Sequence, residues 1–342
     1  MKERDVACLR DSFNRPINYL RISVTDRCNF RCIYCMPSDG VLRQSHADIL
    51  TYEEIAIVAR AAAELGVSKV RITGGEPLVR SGIVDLVAML GTIPGIDDLA
   101  LSTNGALLAR YARQLKDVGL RRVNVSLDTM REERFSAFTR LGRLRDVLEG
   151  IEAAESVGLK PIKINVVVMR GLNDDEIEDF AAKTFEREWN IRFIELMPIG
   201  QTADMASRYV PTAEIRERLA SLGSLEPESS GSDGLGLENE AGCSGPARYY
   251  RLRGAAGTIG FISPISEHFC HSCNRLRLTA DGRLRPCLLW DKEIDLRSVL
   301  RSPGGAEKVK GAIQAATLEK PLGHGLGQGL VPIDRTMSEI GG

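Results

Sequence analysis

The feature that most constrains the fold is an alternation of short apolar strands with amphipathic helices over the first two thirds of the chain. Strands are predicted at 19–24, 69–72, 99–102, 122–126, 162–169 and 191–196, with a helix or helical segments between each pair of neighbours. Such alternation builds parallel sheets from βαβ units. Six units are fewer than the eight of a closed barrel. The sequence therefore predicts an α/β fold, an open partial (βα)6 barrel.

A change of composition divides the chain into unequal parts. Residues 221–246 are rich in Gly, Ser and Glu and poor in aromatic and β-branched residues, which indicates a flexible linker or long loop. A chain of 342 residues is long for one core. We therefore expect a barrel domain at 1–220, a linker at 221–246 and a smaller C-terminal domain at 247–342.

Charge and hydropathy narrow the class of protein. The net charge of −1 creates no overall field that attracts nucleic acid, so a site for anions must be local. No apolar run reaches the length of a membrane span, and the segment that begins at Met1 lacks the apolar core of a signal peptide. We therefore expect a cytoplasmic protein with no nucleic-acid or membrane partner, whose cysteines stay reduced.

Three cysteines, Cys28, Cys32 and Cys35, lie at a C-x3-C-x2-C spacing that can direct three thiolates at one centre. Thiolates are soft ligands that select iron–sulfur clusters, zinc or Cu(I). Structural zinc requires four ligands, and the nearest further candidate is His46. Three thiolates suit a [4Fe–4S] cluster with one iron open to a reactant. A zinc knuckle with a ligand from elsewhere in the chain is the alternative.

A second triad, Cys270, Cys273 and Cys287, lies in the predicted C-terminal domain at a C-x2-C-x13-C spacing. Here His268 or His271 can complete a Cys3His zinc site, so spacing alone does not decide between zinc and a cluster. The remaining cysteines, Cys8 and Cys243, are isolated, and no function is assigned to them.

Polar residues recur where the predicted strands end. The carboxyl ends of parallel strands meet at one edge, so these side chains are expected to share a cavity. The chain has no Rossmann fingerprint and no P-loop, so scattered residues would hold any nucleotide. The strand-end residues are Arg71, Thr73, Gly75, Ser102, Asn104, Ser126, Asp128, Lys163, Asn165, Glu195 and Met197.

The first triad, with Tyr34 directly before its third cysteine, resembles the signature of the radical S-adenosylmethionine (SAM) enzymes. The resemblance implies that the open iron binds the amino and carboxylate groups of SAM. One-electron reduction, for which an external reductant is needed, then cleaves SAM to a 5′-deoxyadenosyl radical. It also implies a partial barrel.

A longer resemblance covers nearly the whole chain and is to the GTP 3′,8-cyclase family of molybdenum cofactor biosynthesis. It rests on the runs at 20–23, 71–77, 102–105, 124–128, 192–198 and 261–264, on Asn274-Arg-Leu-Arg277, and on the terminal Gly-Gly. It implies a second [4Fe–4S] cluster at Cys270, Cys273 and Cys287, whose open iron binds guanine. Two departures are the long 226–245 stretch and Ser102, where the family usually has threonine.

The same resemblance assigns residue roles. It implies SAM contacts at Tyr34, Gly75, Ser126 and Met197. It implies GTP contacts at Arg21, Arg71, Ser102, Lys163, Arg275, the main chain of Leu276, and Arg277. The tail, Gly341 and Gly342, is expected to enter the site and to act in catalysis with Arg277.

The implied reaction is hydrogen abstraction from ribose C3′ of GTP, followed by bonding of C3′ to guanine C8. The product, 3′,8-cyclo-7,8-dihydro-GTP, would pass to the next pathway enzyme, cyclic pyranopterin monophosphate synthase. The sequence does not set the oligomeric state, and a homodimer is among the states considered. Two alternatives remain: a radical SAM enzyme of peptide maturation, and a zinc-binding interaction protein without catalysis. The Asn274–Arg277 run and the Gly-Gly tail favour the cyclase family over the first.

Overall fold

The computed structural model of the protein describes residues 8–41, 44–228, 245–326 and 335–341. All six predicted strands are present and pair in parallel with their neighbours in chain order. They are β1 (Tyr19–Ser23), β2 (Lys69–Thr73), β3 (Asp98–Thr103), β4 (Arg122–Ser126), β5 (Lys163–Val168) and β6 (Asn190–Glu195).

The helices of the barrel region follow the predicted alternation. The first begins at a capping box, because Thr51 Oγ accepts from Glu54 N at 3.2 Å and Thr51 N donates to the Glu54 carboxylate at 2.8 Å. The seven are α1 (Tyr52–Glu64), α2 (Ile83–Gly91), α3 (Leu108–Asp117), α4 (Glu132–Thr139), α5 (Leu144–Ser156), α6 (Ile177–Glu186) and α7 (Thr212–Leu219).

The C-terminal region adds strands to both edges of the same sheet. They are β7 (Leu225–Pro227), β8 (Arg248–Leu252), β9 (Thr258–Ile262), β10 (Arg275–Leu278), β11 (Arg283–Arg285) and β12 (Ile294–Asp295). The order is β12-β11-β10-β1-β2-β3-β4-β5-β6-β9-β8-β7. Because β10 joins β1 and β9 joins β6 in parallel, the parallel part has eight strands where the sequence predicted six.

The predicted linker is partly regular. Strand β7 lies inside it and pairs antiparallel with β8, while residues 229–244, with Cys243, lie outside the described residues. The described residues of the C-terminal region also form the helices α8 (Leu296–Leu300), α9 (Gly305–Leu318) and α10 (Met337–Ile340). The domain boundaries at 220 and 246 remain predictions.

The two faces of the parallel strands differ in chemistry. Alternate residues such as Leu20, Ile22 and Ile72 are fully buried in the main hydrophobic core against the helices. The residues between them point to the other face, which lines a cavity. A search of the described helices finds none with the length and apolar character needed to cross a membrane.

Candidate active site

The cavity on the inner face of the sheet collects residues from both ends of the chain. It is lined from β1 through β6, from the Cys28–Cys35 loop and from the C-terminal region. Most residues with predicted roles line it. They are Arg21, Cys28, Cys32, Tyr34, Cys35, Arg71, Gly75, Ser102, Ser126, Lys163, Met197, Cys270, Cys273, Arg275, Arg277 and Cys287.

Three arginines stand side by side across the middle of this surface. Arg21 on β1 is in register with Arg277 on β10 and with Arg71 on β2. Hydrogen-bonded neighbours in a sheet lie about 5 Å apart, so the three guanidiniums share one region. Planar guanidinium forks of this kind bind carboxylate and phosphate oxygens in pairs.

Arg71 and Arg277 are buried, and Arg21 between them is half-buried. Burial, followed by the like charges of Arg122 and Arg21, lowers the pKa of Arg71 to about 9. Burial, with the charges of Arg21 and Arg275, also holds the pKa of Arg277 far below its usual range. The Nε atoms of Arg71 and Arg192 are buried donors without a hydrogen-bond partner among the described residues. A polyanion would satisfy these donors and relieve the repulsion between the cations.

Further cations line the cavity that received no role in the sequence analysis. Arg192 on β6 is 5% exposed, and Lys320 after α9 is 3% exposed. Lys163, which was assigned, has its Nζ 3.4 Å from Tyr249 Oη. Arg192 occupies an inward position of β6. The sequence did not reveal this, because its neighbours gave no pattern that separates inward-facing from outward-facing residues.

The first cysteine triad suits an iron–sulfur cluster. All three thiols are free, and burial raises the pKa of Cys28 to about 11 and that of Cys35 to about 12. Burial also raises the pKa of Cys32, and the Cys35 and Cys28 charges raise it further. With pKa values raised in this way the free thiols stay protonated, and a cationic centre that replaced their protons would stabilise the thiolates. The donor set therefore fits a cluster held by Cys28, Cys32 and Cys35.

The glycines after β2 hold the entrance to this loop. Gly75 N donates to Thr25 O at 2.8 Å, and Glu76 N donates to Arg27 O at 2.8 Å. A Cβ at Gly75 would lie 2.5 Å from Arg27 O, closer than real Cβ contacts occur. Gly75 was predicted to contact SAM. The structure gives a second reason for glycine at this position, because the main chain of Arg27, directly before Cys28, occupies the space that a side chain would need.

Tyr34, within the cysteine loop, is fixed by a carboxylate from the neighbouring strand end. Its hydroxyl donates to Asp128 Oδ2 at 2.7 Å, and Val167 N donates to Asp128 Oδ1 at 2.8 Å. Burial raises the pKa of Asp128 to about 6, although both hydrogen bonds oppose the shift. Asp128 thus orients the loop, and Ser126 and Met197 line the same cavity as Tyr34.

The second triad has a different electrostatic setting. Burial raises the pKa of Cys270, whereas the charges of Arg275 and Lys320 overcome burial and lower the pKa of Cys273 to about 6. Of the histidines considered as zinc ligands, His268 lines the cavity and His271 is exposed. Free thiols next to cations can hold a cluster as thiolates.

The tail reaches the arginine row. Gly341 O accepts from Arg21 Nη2 at 3.1 Å and from Arg277 Nη1 at 2.9 Å. Arg277, which was expected to act together with the tail, contacts it through Gly341 O. Gly342 lies outside the described residues. Leu276 has its side chain in the hydrophobic core, and the contact of its main chain with GTP stays a prediction.

Comparison with known proteins identifies the family. The model of the Radical SAM superfamily matches residues 22–183, and that of Molybdenum Cofactor Synthesis C matches residues 189–326. A GTP 3′,8-cyclase of Pelotomaculum thermopropionicum is 52% identical over 98% of this chain and 100% of its own length. The chain belongs to the GTP 3′,8-cyclase family. Another GTP 3′,8-cyclase, from Moorella thermoacetica, is 49% identical over 98% of this chain and all of its own.

The fold of this chain is also found in solved structures of low sequence identity. Streptococcus suis SuiB bound to S-adenosylmethionine has a TM-score of 0.59 at 13% identity, covering 87% of this chain and 68% of its own. This likeness confirms the predicted partial barrel with a C-terminal domain. As a member of the GTP 3′,8-cyclase family, the protein is a radical SAM enzyme, a class that uses SAM and an iron–sulfur cluster.

Proposed function

We propose that this protein converts GTP to 3′,8-cyclo-7,8-dihydro-GTP, the first step of molybdenum cofactor biosynthesis. Full-length relatives with this name support the proposal. The observation that carries it is the row of Arg277, Arg21 and Arg71 across β10, β1 and β2, in a cavity lined by both cysteine triads. A triphosphate on this row would direct its nucleoside toward the remaining lining residues.

The proposed cofactors are two [4Fe–4S] clusters, SAM and an external one-electron reductant. Cys28, Cys32 and Cys35 would hold the first cluster, and Cys270, Cys273 and Cys287 the second. When bound, the first cluster and SAM supply the chemistry of hydrogen abstraction. SAM contacts are proposed at Tyr34, Gly75, Ser126 and Met197.

The residues of the chain supply binding and orientation. Arg21, Arg71, Lys163, Arg275 and Arg277 are proposed to hold GTP, with Ser102 and the main chain of Leu276. Register across the sheet fixes these groups before substrate arrives, so little reorganisation is needed at the moment of reaction. Gly341 and Gly342 are proposed to position a catalytic group, and the contacts of Gly341 O support their presence at the site.

The remaining predictions belong to the same proposal. We propose a cytoplasmic enzyme without nucleic-acid or membrane partners, whose product passes to cyclic pyranopterin monophosphate synthase. A homodimer is compatible with this proposal. The alternative of a zinc-binding protein without catalysis gains no support, because the chain belongs to a family of radical SAM enzymes. The likeness to SuiB shows the fold alone and does not favour peptide maturation.

Isotope transfer tests the function directly. Anaerobically reconstituted protein is incubated with SAM, a reductant and GTP deuterated at C3′, and the nucleosides are analysed by mass spectrometry. We expect 5′-deoxyadenosine that carries the deuterium, together with a product that has the mass of unlabelled GTP. ATP deuterated at C3′ serves as the control for guanine specificity. Cleavage of SAM without deuterium transfer from GTP would contradict the proposal.

A further inference from the structure

One short segment, Lys320–His324, contacts the chain around every cysteine of the second triad. It follows helix α9 and is far in sequence from all three cysteines. Neither the sequence motifs nor the proposed ligand contacts gave it a role.

Lys320 bridges two of the cysteine-bearing stretches. Its side chain is 3% exposed, and Nζ donates to Arg275 O at 2.8 Å and to Pro286 O at 2.7 Å. Arg275 lies two residues after Cys273, and Pro286 directly precedes Cys287. One ammonium group therefore fixes the main chains on which two of the three thiols are carried.

The third cysteine is tied to the same segment by Arg15. This buried side chain donates to Cys270 O at 2.6 Å, to Pro321 O at 2.6 Å and to Leu322 O at 3.0 Å. Its charge is balanced by Asp11 at 2.5 Å. The main-chain N–H of His324 also donates to the Cys270 thiol.

Lys320 differs from Arg15 in the way its charge is balanced. Its two hydrogen-bond acceptors are neutral carbonyls, whereas burying an ammonium group without a counter-charge is costly. Lys320 also lines the same cavity as Cys273 and Cys287. The position thus combines a fixed bridge with a positive charge in the cavity that these cysteines line.

We propose that Lys320 is the positioning residue of the second cluster: its bridge sets the spacing of Cys273 and Cys287, and its charge stabilises the thiolate-held cluster. The proposal rests on the second cluster of the proposed function. Hydrogen bonds and charge around the ligands are established determinants of cluster reduction potential. Removing the charge should therefore make the cluster harder to reduce.

The test isolates each cluster in the full-length chain. One background carries Cys28→Ala, Cys32→Ala and Cys35→Ala, and the other carries Cys270→Ala, Cys273→Ala and Cys287→Ala. Lys320→Met, Lys320→Arg and Lys292→Met are introduced into both. Lys292 pairs with Glu319, directly before Lys320, but is half exposed, so its variant removes a neighbouring charge without touching the bridge.

In the first background the parent should hold about four irons per chain. We expect Lys320→Met to lose more than half of this iron and to shift the midpoint potential of the remaining cluster to more negative values. Lys320→Arg should restore most of the iron, and Lys292→Met should change neither quantity. In the second background all three variants should keep the iron of their parent.

Each other result has a distinct meaning. Unchanged iron and potential in Lys320→Met would overturn the proposal, as would equal iron loss in both backgrounds, which would show a general folding role. A parent of the first background that binds no iron at Cys270, Cys273 and Cys287 would overturn the second cluster itself, and Lys320 would lose its proposed role with it.

Discussion

At the scale of single residues, strand register decides which charged side chains act together. Arg21, Arg71 and Arg277 are separated by up to 256 positions in sequence, yet they occupy one row of the sheet. Their burial is unfavourable without an anion, which is why this row points to a phosphate-bearing ligand.

The first prediction concerns Arg71. Arg71→Ala should weaken GTP binding by about 1.5–3 kcal/mol, or about 10- to 150-fold in Kd, because a charge-assisted contact is lost. Equilibrium dialysis under anaerobic conditions measures the effect. Arg145→Ala is the control, since Arg145 is exposed and pairs with Glu149 within helix α5. Guanosine that binds the parent as tightly as GTP would show that no anion pocket exists.

The second prediction concerns Gly75. Gly75→Ala should push the Arg27 main chain away, cost about 1–3 kcal/mol of stability through overpacking, and lower the iron held by the first triad. Iron content and thermal unfolding measure these effects. The matched control is Gly311→Ala in α9, where a Cβ meets nothing within 4 Å, so about 0.5–1 kcal/mol of stabilisation is expected. Full iron content in Gly75→Ala would show that the loop tolerates the displacement.

At the scale of elements, the short helix α10 carries the tail into the cavity. Arg335, just before it, pairs with Asp281 at 2.8 Å and with Glu293 at 2.7 Å. Ile340 at its end is buried with Ile199 and Leu289. An ionic anchor before the helix and an apolar anchor within it together fix where Gly341 emerges.

The third prediction concerns this element. Deleting Gly341 and Gly342 should abolish turnover to 3′,8-cyclo-GTP while sparing both clusters, SAM binding and most GTP affinity, because the anchors of α10 remain. Product formation, iron content and GTP binding are compared with those of the parent. A bulky residue added after Gly342 should cause similar damage. Full cyclisation by the truncated protein, with excess SAM and reductant, would show that the tail has no catalytic role.

At the scale of the whole molecule, the chain closes its cavity by placing C-terminal strands on both edges of the barrel sheet. β9 extends it beside β6 and β10 extends it beside β1. This arrangement brings Cys270–Cys287 into the cavity that the Cys28–Cys35 loop also lines, with one triad after β1 and the other in the segment around β10 and β11.

The fourth prediction follows because the two cysteine triads lie in different segments of the chain. Replacing Cys28, Cys32 and Cys35 together by Ala should roughly halve the iron content and abolish SAM cleavage, while the second cluster stays in place. Iron and acid-labile sulfide are counted after anaerobic purification, and SAM cleavage is followed as 5′-deoxyadenosine. The reciprocal replacement of Cys270, Cys273 and Cys287 is the control for total iron. Unchanged iron in the first variant would contradict the assignment.

The sequence by itself determined the local features of this protein. Spacing alone brings Cys28, Cys32 and Cys35 together, and the alternation of apolar segments is a local consequence of backbone periodicity, so both were predictable. The capping box at Thr51 and Glu54 is local in the same way.

Only the tertiary structure decided how distant segments combine. The parallel pairing of β9 and β10 with β6 and β1, the contact of Gly341 with Arg21 and Arg277, and the bridge made by Lys320 join residues separated by tens to hundreds of positions. Their formation depends on which surfaces can be buried together, and the hydrophobic periodicity of a segment does not specify which other segment it packs against. Arg192 and Lys320 were missed for this reason. In the sequence, a buried arginine or lysine cannot be distinguished from an exposed one until the position of its strand or loop in the fold is known.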